Sequence, residues 1–456
     1  MPARKTSHLK AEIWQLTWPN MLSNLSVPLL GLADITMMGH LGSPVFIGAV
    51  ALGSIPFNFI YSGLAFLRMG TSGMTAQHYG AGNLQACALM LQRALIAGGV
   101  LALLLLAMKG FIATTGFGLL EGSAETIGLA KSYFLIRIWA APAVLLQFGF
   151  HGWFIGMQDA RSPMFVAISE NILNILFNFM MVFGFGLLSD GVAWGTVMAR
   201  YAGLMLCVFF YVRKYVGLTA LFNLRDAMEI RALKHFFGIN GNLFVRTILL
   251  MMVLTLFTAF SSRMGDDMLA ANSLLLQFFF FFSYLIDGYA YAAEALTGKY
   301  TGAGKAEALR IIIRHLFVMG GLWSLGFTLV YLAGGRFILG LLTSDGSIVS
   351  LAGDYLGYII ILPVVSYAAF LWDGIYIGAT ATRTLRNIMM AASCVFLALI
   401  SALEASANHG LWISLLAFLF IRGAGLTWYA DKAIFNGIRG YKKRKHDNAQ
   451  SQADMQ

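Results

Sequence analysis

The feature that most constrains the fold of this chain is a series of twelve mainly apolar runs separated by short polar breaks. A helix needs about 20 mainly apolar residues to cross the hydrocarbon core of a bilayer, and each run is long enough. Hydrophobic residues make up 59% of the 456 residues and charged residues 11%, far from the averages of soluble domains. Segments of about ten alternating residues, which are typical of membrane barrels, do not occur. The sequence therefore predicts an all-α polytopic membrane protein.

The predicted spans form two copies of a six-span unit. TAQHYGAG at 75–82 resembles TGKYTGAG at 297–304, and HGWFIGMQDAR at 151–161 resembles DGIYIGATATR at 373–383. In both pairs the residue numbers differ by 222, and we call this difference the repeat offset. Because each copy holds an even number of spans, both enter the membrane from the same side, as in a parallel pseudo-twofold repeat. The twelve predicted spans are 13–39, 45–70, 87–108, 132–157, 163–187, 191–213, 237–261, 268–295, 309–332, 352–378, 387–407 and 410–431.

These spans divide the chain into four predicted segments. Residues 1–213 form an N-lobe with helices 1–6, and residues 237–431 form a C-lobe with helices 7–12. Residues 214–236 form a cytoplasmic linker, in which RDAMEIRALKHF predicts a helix on the membrane surface. Residues 432–456 form a basic and then polar cytoplasmic tail that we expect to be disordered.

The distribution of lysine and arginine predicts the orientation. No cleavable signal is evident, because MPARKTSHLK leads directly into a full-length span. With both termini inside, the cytoplasmic loops and tail carry most of the basic residues, including YKKRK at 441–445. This topology explains most of the net charge of +10, so nucleic-acid binding is not needed to account for it. We expect a multi-pass protein of the bacterial inner membrane. The basic residues expected outside are Lys109, Lys131, Arg263 and Arg336.

One carboxylate lies inside the first span. In VPLLGLADITMMGHLG at 27–42, Asp34 costs about 2.5–3.5 kcal/mol at a helix centre on insertion scales, so we expect it to face the protein interior or a water-filled cavity. The second copy has an apolar residue there, Leu256 or Phe257. Pro19 and Pro28 allow the same helix to bend, because each lacks an amide proton. We interpret this helix, with the only carboxylate of its lobe interior, as a moving part; a purely structural Asp34 is the alternative.

The fifth span carries a stripe of amides. In ENILNILFN, Asn171, Asn174 and Asn178 lie on one helix face. Such a stripe is able to hydrogen-bond a buried carboxyl group, to bind substrate, or simply to hold helices together. Tyr133 in the fourth span and Thr196 in the sixth are further hydrogen-bond donors in this lobe.

The second lobe has its own set of charged residues, namely Arg246, Asp287, Glu294, Asp373 and Arg422. Asp287 and Glu294 are seven residues apart on one helix face. Because acids and bases occur in similar numbers, mutual neutralisation is the simplest interpretation of this set.

Several motifs resemble those of the multidrug and toxic compound extrusion (MATE) family. They are a proline near the start of the first span followed by Asp34 and GHLG, the AQHYGAG loop, the NILFN segment, and GFGLLSDGVAWGT at 184–196. The six-plus-six duplication is similar as well. FLRMGTSGMTAQHYGAG at 66–82 and WDGIYIGATATRTLRN at 372–387 resemble the branch named after DNA-damage-inducible protein F (DinF).

This resemblance implies a cation-coupled exporter with alternating access. Asp34 would be the coupling carboxylate, assisted by Tyr133, Asn174, Asn178 and Thr196, with bending near Pro19. Many relatives have Asp where this chain has Asn178, which places a mechanism with two carboxylates in doubt. Sodium-coupled relatives have an acid in the seventh span, whereas residues 237–261 contain none.

The sequence thus predicts a proton-coupled antiporter of hydrophobic or cationic organic compounds, a monomer without cofactor or metal. Sodium coupling is one alternative. A flippase for lipid-linked precursors is another, but it would need a strongly cationic cavity, and only Arg246 and Arg422 stand out as basic residues for one. A membrane-embedded enzyme is a remote alternative, because the eight histidines lack metal-ligand spacing and no nucleophile motif accompanies them.

Overall fold

The computed structural model describes the backbone of residues 2–39, 44–118 and 123–435, and the side chains in these ranges apart from those of 2–7, 27–36, 38–39 and 44. Within this part of the chain all regular secondary structure is helical. The α-helices are α1 (Pro2–Gly39), α2 (Pro44–Leu64), α3 (Phe66–Gly80), α4 (Leu84–Gly118), α5 (Ala124–Arg137), α6 (Ala141–Gly156), α7 (Arg161–Phe179), α8 (Leu188–Tyr215), α9 (Leu224–Ala227), α10 (Ile230–Ser262), α11 (Asp266–Gly302), α12 (Ala306–Leu342), α13 (Gly346–Gly378), α14 (Thr382–Ala402) and α15 (Ala407–Ala430).

The predicted fold class is confirmed. Eleven helical segments in the described residues are long and apolar enough to cross a membrane, and α1 covers the remaining predicted span, 13–39. Several of these segments contain a local break. The span of α5 and α6 is interrupted by a 3₁₀ turn at Ile138–Ala140, and α7 continues into a π-helical turn at Met180–Gly184. Such turns mark positions where the regular backbone hydrogen-bond pattern changes.

The chain folds into two compact units. One unit comprises residues 1–21 and 241–456, and the other comprises residues 22–240. The two halves of α1 therefore belong to different units. The lobe boundaries at 213 and 237 stay a prediction, and the segment 436–456 of the predicted tail lies outside the described residues.

The two units share internal geometry at the repeat offset. A Cβ atom on Gly152 of α6 would collide with the carbonyl oxygen of Arg68 on α3. In the other unit, a Cβ atom on Gly374 of α13 would collide with the carbonyl oxygen of Ala290 on α11. Gly152 and Gly374 are separated by the repeat offset, and so are Arg68 and Ala290. Equivalent residues therefore form the same close helix crossing twice.

The turns after these helices repeat in the same way. Gln158 and Thr380 are separated by the repeat offset, and both adopt a positive φ, of 65° and 54°. Gly82 and Gly304 are separated by the same offset, with φ of 74° and 67°. Few residues other than glycine adopt this conformation, so its recurrence at equivalent positions agrees with a duplicated backbone.

The segment RDAMEIRALKHF does not form one helix, because α9 ends at Ala227 and α10 begins at Ile230. Its place on the membrane surface stays a prediction. The Asn223 side chain caps the short helix α9 at its N-terminus, accepting hydrogen bonds from the amides of the next residues. Arg93 of α4 donates to the carbonyls of Asp226 and Ala227, at 2.8 and 3.0 Å, and so satisfies the other end of α9. The helix α10 then begins at Ile230.

Candidate functional site

A ladder of polar side chains joins α7 and α8 in the unit of residues 22–240. Glu170, Asn174 and Asn178 recur every four residues along α7, and all three are buried. Glu170 forms an ion pair with Arg200 of α8. Asn174 Nδ2 donates to Thr196 Oγ1 on α8 at 3.2 Å, and Asn178 Nδ2 donates to Asn174 Oδ1 at 2.9 Å. Two of the three predicted amides, Asn174 and Asn178, therefore lie in one buried hydrogen-bonded row, whereas Asn171 is half-buried and lies outside it.

Glycines on α8 make room for this ladder. A Cβ atom on Gly195 would collide with Oδ1 of Asn178, and one on Gly203 would collide with Oε2 of Glu170 and Nε2 of Gln147. Small residues at helix interfaces allow membrane helices to approach closely, which favours hydrogen bonds between them. The polar ladder therefore requires glycine at positions 195 and 203 of α8.

Tyr133 lies on the face of α5 that packs against α8, and it is 2% exposed. Its hydroxyl accepts a hydrogen bond of 2.9 Å from Nη1 of Arg137, which also donates to Ser54 Oγ of α2 at 2.9 Å. The ring of Tyr133 belongs to a buried cluster with Val192 and Ala193 of α8. Tyr133 thus connects α5 to the helix that carries Thr196.

The second half of α1 runs along these helices. Ser26 Oγ accepts a hydrogen bond of 2.7 Å from Asn171 Nδ2 on α7. Eleven residues later, Met37 packs in the cluster that contains Tyr133. The backbone of Asp34 lies between these two contacts, while its side chain and that of Pro28 lie outside the described residues. Pro19 is buried in the other half of the helix.

The second unit contains a separate charged cluster. The buried Asp373 of α13 accepts hydrogen bonds through Oδ2 from two guanidinium groups, those of Arg246 on α10 and Arg422 on α15, the latter at 2.7 Å. Asp287 of α11 lies within electrostatic range of Arg422. Glu294 is buried on α11, where its backbone contacts the crossing glycine Gly378. The structure therefore brings Arg246, Asp373 and Arg422 together, with two guanidinium groups on one carboxylate.

No group of three His, Cys, Asp or Glu side chains within the described residues is arranged to hold a metal ion. Sequence similarity to known proteins identifies the family. The family model described as MatE matches residues 19–180 and 243–403, more than half of the chain. The chain belongs to the MATE family.

Individual MATE proteins agree with this assignment. The chain is 37% identical over 439 residues to DNA damage-inducible protein F of Escherichia coli, covering 93% of this chain and 95% of the relative. It is 25% identical over 368 residues to the probable multidrug resistance protein NorM of Thermotoga maritima, covering 77% and 76% of the two chains. The resemblance to the DinF branch is confirmed, and the chain is a transporter-family member.

The fold also matches a solved structure. A MOP superfamily transporter from Pyrococcus furiosus superposes with a TM-score of 0.84 at 18% identity, covering 94% of this chain and 97% of the other. This similarity supports the arrangement of twelve helices in two six-helix lobes.

Sequence reasoning missed three charged residues of this MATE chain. Asp34 is not the only carboxylate of its lobe interior, because Glu170 is 5% exposed on α7. Arg246 and Arg422 are not the only basic residues inside the spans, because Arg137 and Arg200 also lie within them. The spacing offered a signal, since Glu170 precedes Asn174 by four residues and Arg200 follows Thr196 by four.

Proposed function

We propose that this MATE chain is a proton-coupled antiporter that exports hydrophobic and cationic organic compounds, with Asp34 as the residue that binds the proton. The observation that carries the proposal is the course of α1. Contacts at Ser26 and Met37 hold the segment that contains Asp34 against the helices bearing Asn174, Thr196 and Tyr133. The names of relatives such as the multidrug export protein MepA support organic compounds as the substrates.

Proton binding would change the hydrogen bonds that this carboxyl group is able to form. An ionised carboxylate only accepts hydrogen bonds, whereas a protonated one also donates. The amides and hydroxyls of the ladder contain both donors and acceptors, so they are able to bond either form. We infer that protonation redraws these bonds, shifts the second half of α1, and favours release of substrate to the outside. An ionised Asp34 would in turn attract a cationic substrate.

The coupling needs differential binding to two states. If proton and substrate each favour a different state, one pH unit corresponds to about 1.36 kcal/mol, or roughly a tenfold gradient of substrate for one proton. The charged cluster of the second unit supports protons over sodium. Two guanidinium groups already neutralise Asp373, and α10 contains no acid.

The test measures efflux of a fluorescent organic cation from vesicles with reconstituted protein, under an imposed pH gradient and separately under a sodium gradient. We expect the pH gradient alone to drive efflux. We expect Asp34→Asn to keep its helicity and to lose gradient-driven efflux. Glu125→Gln removes an exposed carboxylate at the start of α5, and this control should retain efflux. Efflux driven only by sodium, or unchanged in Asp34→Asn, would contradict the proposal.

A further inference from the structure

Arg137 is bound differently from the ion-paired arginines of the spans. Arg200 is paired with Glu170, and Arg422 with Asp373. Arg137 instead donates only to two neutral hydroxyl groups, of Ser54 and Tyr133, and has no carboxylate within ion-pair distance in the described part of the chain. A guanidinium inside a membrane span is costly, and such a residue is a functional site by default.

The hydrogen bonds of Arg137 leave one side of its guanidinium unused. Both bonds come from Nη1. The N–H groups of Nε and Nη2 therefore meet no acceptor among the described residues, and the side chain is only half-buried. These two nitrogens form the planar fork that binds a carboxylate through two parallel hydrogen bonds.

The surroundings of Arg137 suit an apolar molecule. The guanidinium lies over the ring of Phe57, 4.8 Å from its centroid, and 5.6 Å from that of Tyr133. Tyr61 lies within electrostatic range of Arg137, and its hydroxyl is buried without a hydrogen-bond partner in the described residues. A charged fork next to aromatic rings and a spare hydroxyl is able to recognise an amphipathic acid.

Arg137 also lies at the depth of the polar ladder. Tyr133 shares a cluster with Val192 of α8, and Ala140 shares a second one with Val197. The chain from α5 to α6 therefore runs beside α8 in the same direction. Arg137 is four residues after Tyr133, as Thr196 is four residues after Val192, which places both about 6 Å farther along their helices.

We propose that Arg137 binds the carboxylate of amphipathic organic substrates, so that this transporter accepts organic acids and zwitterions as well as cations. The inference rests on the proposed export function, but binding can be measured without transport. Arg137 would then select substrates that carry a carboxylate, just as Asp34 on α1 would select cations.

The test is equilibrium binding to the purified full-length protein, with no ion gradient. The probe is dansyl-phenylalanine, compared with its neutral amide, and fluorescence reports the bound fraction. We expect the wild type to bind the acid at least tenfold more tightly than the amide, which corresponds to about 1.4 kcal/mol. Arg137→Gln should abolish this preference. Arg137→Lys should keep part of it, because it retains the charge and loses the fork. Arg263→Gln removes an exposed arginine and should change nothing.

Several results would overturn the inference. Equal binding of acid and amide by the wild type would do so even if Arg137→Gln does not fold. So would a full preference in a folded Arg137→Gln variant. If inorganic phosphate displaces the acid probe at lower concentrations than acetate does, the site prefers phosphate and the carboxylate assignment is wrong. Cation efflux under a pH gradient is scored separately: efflux without acid binding refutes this inference alone, and acid binding without efflux refutes the antiport proposal alone.

Discussion

At the scale of single residues, the two units have an arginine at equivalent positions but pair it with carboxylates at different positions. Arg200 and Arg422 are separated by the repeat offset, so they occupy equivalent positions of the duplication. His151 is likewise equivalent to Asp373. Arg422 pairs with Asp373, whereas Arg200 of α8 pairs with Glu170 on α7. The first copy thus supplies its carboxylate from α7, and this charge lies at one end of the polar ladder.

The Glu170–Arg200 pair predicts a large effect of removing one partner. Glu170→Gln leaves a guanidinium without its counter-ion, which costs about 3–5 kcal/mol in a buried pair. Because Arg200 is 32% exposed, we expect the lower end of this range. Thermal unfolding in detergent measures the loss. The double variant Glu170→Leu, Arg200→Met removes both charges and should recover most of it. A double variant less stable than Glu170→Gln would show that the pair contributes more than its neutralisation.

The sequence predicted part of this site, and particular residues show why the rest could not be predicted. The asparagine stripe could be predicted because a helical period places Asn174 and Asn178 on one face whatever the tertiary structure. The same period places Glu170 on that face. Its ion pair with Arg200 and the partners of Arg137 could not be predicted, because they depend on which helices pack together. A sequence shows that an arginine lies in a span, but it does not show that its partners are two hydroxyl groups.

At the scale of helices, the duplicated crossing predicts a sharp contrast between two glycines of α13. Gly374→Ala forces a methyl group against the backbone of Ala290, and overpacking of this kind costs about 1–3 kcal/mol. Gly357 lies on the same helix, and nothing lies within 4 Å of the position that a Cβ atom would take there. Gly357→Ala should therefore be neutral or stabilising by about 0.5–1 kcal/mol, through its higher helix propensity. Thermal unfolding distinguishes them, and equal melting temperatures would refute the crossing.

The loop between α6 and α7 predicts a dependence on pH. Burial raises the pKa of Asp159, but hydrogen bonds from Lys214 and Ser162 outweigh it and hold the pKa below its ordinary value. The stabilisation is therefore present above the unfolded-state pKa of about 3.9 and is lost as the pH falls through the lower folded-state value. Asp159→Asn should melt at a lower temperature than wild type at pH 7, and the difference should shrink near pH 3.

A matched control for this loop is Asp354→Asn. Asp354 is exposed on α13 and forms no hydrogen bond or ion pair with other described residues. Its substitution should leave the melting temperature unchanged at both pH values. A difference for Asp159→Asn that stays constant down to pH 3 would show that charge is not the cause.

Helix boundaries were harder to predict than helices. Apolar length alone predicts a span, which is why the spans of α4 and α12 follow from the sequence. The end of α9 depends on a tertiary partner. The end of α9 requires Arg93, which belongs to a helix far earlier in the chain. A contact between residues so far apart in the chain leaves no pattern in the local sequence.

At the scale of the whole molecule, the duplication and the basic loops together predict one orientation. Both copies contain six spans, so the loop at 81–83 and the loop at 303–305 lie on the same side of the membrane. Basic residues such as Arg161, Lys214, Lys305 and Arg383 fall on that side, which the positive-inside rule assigns to the cytoplasm.

Single cysteines test this orientation. Ala81 follows α3, and Ala405 lies in the 3₁₀ turn Glu404–Ser406 between α14 and α15. Both are exposed, the predicted topology places them on opposite sides of the membrane, and Ala→Cys changes little volume. Both variants are made in a Cys394→Ser background, because Cys394 is exposed while Cys87 and Cys207 are buried. A membrane-impermeant maleimide should label Ala405→Cys in intact spheroplasts. It should label Ala81→Cys only after permeabilisation. The reverse pattern would place the basic loops outside and would refute the predicted cytoplasmic position of both termini.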